Sequence, residues 1–191
     1  MASREDGQLQ EAPFPLETVR LFLNTWDGEL DTEALTTPAD LGRWLAAHAL
    51  VGVTEPPVTQ RDFDRAIELR EALRTLATGH ATGSAPDPAA LALLNRTLER
   101  ERVEVRFGAD AVPSLVPAAD QGLGRIAALV ATAAFDGTWG RLKACPECGW
   151  SIYDRSKNRS RSWCRMAECG NRAKARAFRA RKAADAALKQ A

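Results

Sequence analysis

The sequence predicts a mainly α-helical chain with one small β-hairpin, followed by a compact cysteine-bearing module that ends in a basic helix. Three observations carry this. Phe63, Ala66, Ile67, Leu69, Leu73, Leu76 and Ala77 form the longest apolar stripe with helical spacing. All four cysteines fall in the last quarter, as Cys145-x2-Cys148 and Cys164-x4-Cys169 with fifteen residues between. The charge is also divided. Residues 1–140 hold 12 Lys/Arg against 21 Asp/Glu, and residues 141–191 hold 14 against 4, so a chain of +1 overall joins halves of −9 and +10.

At 191 residues, one domain plus a small appended module is the natural division. The expected parts are a disordered tail at 1–14, a helical domain at 15–140, a module at 141–185 and a frayed end at 186–191. No apolar run approaches a membrane span. The polar start MASREDGQLQEA has no signal-peptide core. A soluble, cytoplasmic chain is expected.

Leu16, Val19, Leu21, Phe22 and Leu23 suit a short helix ending at Asn24-Thr25-Trp26, although a buried strand has the same composition. The acids between Asp27 and Glu33 read as a solvated loop rather than a metal site. Thr37-Pro38-Ala39-Asp40 is a helix start, with Thr37 as N-cap and Asp40 at the third position. It leads into Leu41, Trp44, Leu45 and Ala49, and Gly52 and Pro56-Pro57 should end that helix. Thr59 opens the long helix, expected to close near Gly79.

Arg70 sits inside the apolar stripe, where a lone charge is costly to bury. Asn24, Thr25 or a nearby acid must partner it, giving either a buried polar network or the floor of a small anion-effector site. Pro88-Ala89 starts a further helix through Leu91, Leu94 and Leu98. Val103 to Phe107 alternates as a half-buried strand does, and Gly108-Ala109-Asp110 turns it back into 112–116, with Arg102 and Arg106 on the exposed side. Gly122 to Phe135 is a final buried helix. His48 and His80 lie far from the cysteines in sequence, and no catalytic arrangement or phosphate-cradling loop is present. The chain is expected not to be an enzyme.

Four soft donors in two short pairs are what a tetrahedral zinc site requires. A disulfide pair would suit a secreted chain and a redox C-x-x-C a βαβ setting, and the flanks offer neither. Pro146 stiffens the first turn, Gly149 can take a positive φ, Gly170 permits a second tight turn, and Asn171 can cap the following helix. Trp163 suits packing across the metal site more than base stacking. Between the pairs, Trp150 to Asp154 alternates as a short strand. Arg155, Lys157, Arg159 and Arg161 then put four cations into seven residues.

Arg172, Arg176 and Arg179 share one face of the last helix, Lys174 and Arg181 lie opposite, and Phe178 is its sole large apolar anchor. A four-thiolate zinc centre is doubly negative and absorbs two or three cations; the remainder point to a polyanion. The expected contacts to duplex DNA are Arg155, Lys157, Arg159, Arg161, Arg172, Lys174, Arg176 and Arg179. RNA binding, or an adaptor role in which the basic helix docks on protein, are the alternatives.

These residues resemble a known family. Cys145-x2-Cys148, Tyr153-Asp154, Ser156, Arg161, Trp163-Cys164-x-Met166-x-x-Cys169-Gly170-Asn171-Arg172 and Lys174 look like the CGNR zinc finger. Leu21-x-Leu23-Asn24-Thr25, Pro38-x-Asp40-Leu41-x-x-Trp44-Leu45 and Leu69-Arg70-Glu71-Ala72-Leu73 are similar to the ABATE domain that precedes it in stress-induced transcription regulators of bacteria. The resemblance implies a cytoplasmic regulator with a DNA-binding zinc module, in which Cys145, Cys148, Cys164 and Cys169 hold the metal.

Overall fold

The computed structural model describes residues 11–51, 57–118 and 122–188. Ala12 is buried, and its N–H donates to the Glu17 carboxylate at 2.6 Å. Helix α1 (Leu16–Leu23) buries Leu16, Val19, Phe22 and Leu23, the set that a helix rather than a strand would place together.

The acidic stretch after α1 is not a solvated loop. It forms two antiparallel two-residue strands, β1 (Trp26–Asp27) and β2 (Thr32–Glu33). Asp27 is buried and accepts from the N–H groups of Glu29 and Leu30 at 2.9 and 3.2 Å, an Asx turn that needs the carboxylate locally. Glu33 turns inward to Arg70.

Helix α2 (Pro38–Ala47) starts with the expected capping box. The Thr37 hydroxyl accepts from the Asp40 N–H, the Asp40 carboxylate accepts from the Thr37 N–H, and the Thr36 and Thr37 hydroxyls hold the Asp40 pKa down at about 2. The helix stops at His48, before the expected breakers; Ala49 already has φ 53°. Gly52 and Pro56 lie outside the described residues.

Helix α3 (Gln60–Thr82) is the central pillar. Thr59 caps its start through the Asp62 N–H, as expected. Its end differs from the sequence reading: the helix runs through Gly79 to Gly83, which has φ 71° and donates its N–H to Gly79 O at 2.8 Å. A left-handed C-cap needs glycine, whereas an interior glycine costs only about 1 kcal/mol. The residues Leu69, Leu73 and Ala77 are fully buried against Phe22, Leu41 and Ile126 of the main core. Each large member contributes about 1.5–3 kcal/mol of burial.

Helix α4 (Pro88–Arg100) is capped by Asp87 and buries Ala90 and Thr97, leaving Leu91 40 % exposed. The hairpin β3 (Val103–Phe107) with β4 (Pro113–Pro117) forms where expected, its return strand one residue later than 112–116, with Val105 opposite Leu115. It is not half-buried: Val105 and Phe107 are 61 % and 70 % exposed, because the strand reaches beyond the helices. Helix α5 (Gly122–Phe135) buries Leu123, Ile126, Ala127 and Val130.

A 3-10 turn at Trp139–Arg141 leads to the hairpin β5 (Leu142–Ala144) and β6 (Ser151–Tyr153), and helix α6 (Asn171–Leu188) ends the described chain. The hairpin side chains Leu142, Ala144 and Tyr153 belong to the same core as α1, α3 and α5. The C-terminal module is therefore seated on the helical part by continuous apolar packing.

Candidate metal centre

The β5–β6 hairpin supplies half of the centre. Its two faces do different work: Leu142, Ala144 and Tyr153 enter the main core, while Ile152 packs beneath the four cysteines with Trp150 and Trp163. The strands are joined by a tight turn in which Gly149 donates to Cys145 O at 2.8 Å and Cys145 to Trp150 O at 2.9 Å. Gly149 takes φ 72°, as its place in the turn predicts.

The second pair arrives differently. Cys164 ends the loop after β6, and Cys169 lies in a five-residue π turn, Met166–Gly170, closed by the Gly170 N–H on Arg165 O at 3.2 Å. Gly170 is required for space: a Cβ there would strike the Met166 thioether and come within 3.2 Å of Trp163 Cδ1. Asn171 does not cap the helix. It is already helical, at φ −69°, and its amide donates back to Ala167 O at 3.0 Å.

All four thiols are buried, at 5 % exposure or less. Their sulfurs lie within 4.8 Å of one another, with Cys148–Cys164 and Cys164–Cys169 at 3.5 Å and Cys148–Cys169 at 3.7 Å. A tetrahedron with metal–sulfur arms of ~2.3 Å has edges of ~3.8 Å. The set matches that shape, and the thiols are free rather than joined as disulfides.

Four buried thiols cannot all ionise by themselves. Hydrogen bonds from Cys148 and Cys164 hold the Cys145 thiol low, those with Cys145 and Cys148 push Cys164 up, and burial lifts Cys169 to about 11. A divalent cation among them would remove that conflict. Arg172 donates to Cys169 Sγ at 3.0 Å and pairs with Glu29 at 3.2 Å, and the hydrogen bond to Cys169 together with the Glu29 charge raises its pKa.

The loop between the pairs is organised by Asp154, which is fully buried. Its carboxylate accepts from Lys143 Nζ at 2.8 Å and from the N–H groups of Ser156 and Arg161, both at 2.9 Å. Lys143 also donates to Arg159 O and Arg161 O. Although burial opposes it, the Lys143 and Ser156 hydrogen bonds hold the Asp154 pKa down at about 2.

Three side chains of the helical part grip the module by its backbone. Asn24 Oδ1 accepts from Ser151 N–H at 2.7 Å while its Nδ2 donates to Ser151 O at 3.0 Å. Arg74 donates to Gly149 O at 2.7 Å and to Leu23 O at 2.6 Å, with its guanidinium 4.7 Å over the Trp26 ring. His80 Nδ1 donates to Leu142 O at 2.9 Å. Glycines permit the approach: a Cβ on Gly28 would lie 2.6 Å from Cys148 O, and one on Gly149 2.6 Å from the Trp26 ring.

Residues 18–137 match the family model described as a putative stress-induced transcription regulator, ABATE. The chain belongs to the ABATE family. Residues 141–182 match the model of the CGNR zinc finger, whose segment contains all four clustered thiols. No curated protein matches the chain.

The corner of the ABATE part singled out in the sequence divides in two. Arg70 donates to Thr25 Oγ1 at 2.9 Å, to both oxygens of Glu33 at 2.8 and 2.6 Å and to Glu71 at 2.9 Å. These carboxylates fill the place an anion would take. Asn24 does not join that network; it faces the CGNR module instead.

The eight cations expected to contact DNA also divide. Arg161 donates to Trp163 O and Cys164 O at 3.1 and 2.5 Å, Arg172 serves Cys169 and Glu29, Arg176 pairs with Glu147, and Arg155 donates to Glu11 O at 3.0 Å. The side chains of Lys157, Arg159, Lys174 and Arg179 are exposed and make no ion pair or hydrogen bond among the described residues. Arg181 and Lys182 are in the same condition. Phe178 anchors nothing, being 61 % exposed.

Proposed function

We propose that this ABATE–CGNR chain is a zinc-containing DNA-binding regulator of the cytoplasm and not an enzyme. Cys145, Cys148, Cys164 and Cys169 would hold zinc as a closed structural site. When bound, it supplies a crosslink between the hairpin and the start of α6, and four sulfur ligands leave no open position for chemistry.

The observation that carries the DNA reading is the condition of α6. Eighteen residues make a rod of about 27 Å. From Lys174 to Asp185 every residue is exposed. Lys174, Phe178 and Arg181 fall on the side of the helix opposite Arg172 and Arg176, the two arginines engaged beside the cysteine cluster, and Lys182 lies to one side. An alanine-rich helix can stand alone in this way, but one with cations turned outward gains most from phosphates. Lys157 and Arg159 extend the positive surface from the loop. Among the described residues, Arg172 is the one cation of α6 that reaches an acid of the ABATE part, Glu29. Docking of the helix on its own acidic partner therefore leaves most of its charge free.

The ABATE part would sense or assemble. The Arg70 corner is a poor host for an effector because Glu33 and Glu71 already occupy it. A cleft of about 420 Å3 lined by Phe14, Leu50, Leu115, Arg125 and Leu129, among others, is roomier.

The test uses the full chain, because the module shares its core with the helices. Binding to random-sequence duplex DNA is measured by anisotropy between ~50 and ~200 mM salt. If the six free cations reach phosphates, log affinity falls with log salt at a slope of about −5. No binding to duplex, or salt-insensitive binding, contradicts the reading; preference for single-stranded RNA moves it to the RNA alternative.

A further inference from the structure

The strand β3 is open along one edge. It pairs with β4 in a two-stranded sheet, and no other strand among the described residues adjoins it. The direction of its free groups follows from the ladder. Gly108 N–H bonds Val112 O, and Ala118 N–H bonds Arg102 O, so the even-numbered residues of β3 face β4. Pro113 and Pro117, which have no N–H, accordingly stand opposite Phe107 and Val103. Val103, Val105 and Phe107 therefore direct their main-chain N–H and C=O groups outward.

Such an edge invites another strand, and proteins usually blunt it. Here the sequence completes it. On one face of the ribbon the strand shows Val103, Val105 and Phe107, the latter two 61 % and 70 % exposed. On the other it shows Glu104 and Arg106, paired with each other at 3.2 Å and both largely in solvent.

We propose that β3 is the dimerisation strand of this protein, pairing antiparallel with β3 of a second copy about a two-fold axis at Val105. In that register the outward groups of Val103, Val105 and Phe107 match those of the second copy, so the main-chain hydrogen bonds close. Val105 faces Val105, Val103 faces Phe107, and each Glu104 faces an Arg106 of the second copy. Sliding by two residues, the next shift the hydrogen-bond spacing allows, sets Glu104 against Glu104 or Arg106 against Arg106. The alternation Val-Glu-Val-Arg-Phe is thus self-complementary in one register, and opposed like charges disfavour its neighbours. A four-stranded sheet would join two ABATE domains, independently of what the CGNR modules bind.

A five-residue strand pair is smaller than a standard interface of ~1,600 Å2, so the dimer should be reversible. Sedimentation of the full chain from ~1 to ~200 μM should show mass rising toward twice 20.8 kDa. Val105→Pro removes the central outward N–H but no bond to β4, and should leave a folded monomer at every concentration. Glu104→Arg should weaken association at least ~10-fold, and Glu104→Arg combined with Arg106→Glu should restore it. A wild-type chain that stays monomeric, or a dimer untouched by a folded Val105→Pro variant, overturns the proposal. Should that variant lose its circular dichroism, the charge pair decides, and a double swap that fails to restore association overturns it equally.

Discussion

Asn24 and Ser151, separated by 127 residues, are joined through both ends of one carboxamide, which accepts from the Ser151 N–H and donates to its C=O. The side chain thus behaves as an extra strand residue along β6. Truncation to Asn24→Ala leaves a buried donor and acceptor unpaired and should cost about 2 kcal/mol. The helices and the module should lose that stability together, as one transition in urea by both near-UV and far-UV signals. Two separated transitions would show that the contact does not couple them.

The buried Lys143–Asp154 pair shapes the loop before Cys164. Asp154→Asn should destabilise by about 3 kcal/mol, because Lys143 remains buried and charged without its partner. Faster amide exchange at Ser156 and Arg161, whose N–H groups the carboxylate accepts, should accompany it. The Asp154 pKa is depressed to about 2, so its contribution is complete above the ordinary carboxylate range and is lost only as pH falls toward 2.

His80 has the same sign at higher pH. Burial, reinforced by the Lys143 charge, keeps its pKa below the usual histidine value, and the neutral ring donates to Leu142 O. The unfolded chain takes up the proton near pH ~6.5, before the folded chain does. This contribution is therefore whole above that pH and declines as pH falls below it. A His80→Gln variant should flatten the pH dependence of stability between pH ~5 and ~6.5, read from urea midpoints.

Much of this was legible in the sequence where the determining contacts are local. The Thr37–Asp40 box, the Thr59 cap, the Gly149 turn and the paired cysteines each involve residues within a few positions of one another, and spacing alone encodes them. The Asn24–Ser151 clasp was not legible, because nothing near Asn24 marks a partner on another element. Arg74 was passed over for Arg70, yet it is Arg74 that reaches the Gly149 turn beside the first cysteine pair. The signal available was the pair of glycines, Gly28 and Gly149, which makes room for close backbone approach. Gly79 looked like a helix end because propensity disfavours it, and tertiary packing along α3 overrides that preference. Val105 and Phe178 looked inward because apolar residues usually are; their exposure depends on where the hairpin and α6 project.

Arg172 and Arg181 separate the two uses of positive charge on α6. Arg172→Ala should weaken metal retention against a chelator by about 10-fold, the scale of losing a partner that orients a ligand. Arg181→Ala should leave the metal in place and reduce the salt slope of DNA binding by about one. Equal effects of both on metal retention would remove the distinction between cations held at the centre and cations left outside.

The most direct test of the proposed metal centre is a count of metal and of reactive thiols in the whole 191-residue chain. One zinc per chain is expected, with all four cysteines unreactive toward a thiol reagent until a chelator is added, and with loss of the near-UV signal of Trp150 and Trp163 on its removal. A metal-free chain with the same near-UV spectrum and four freely reacting thiols would contradict it.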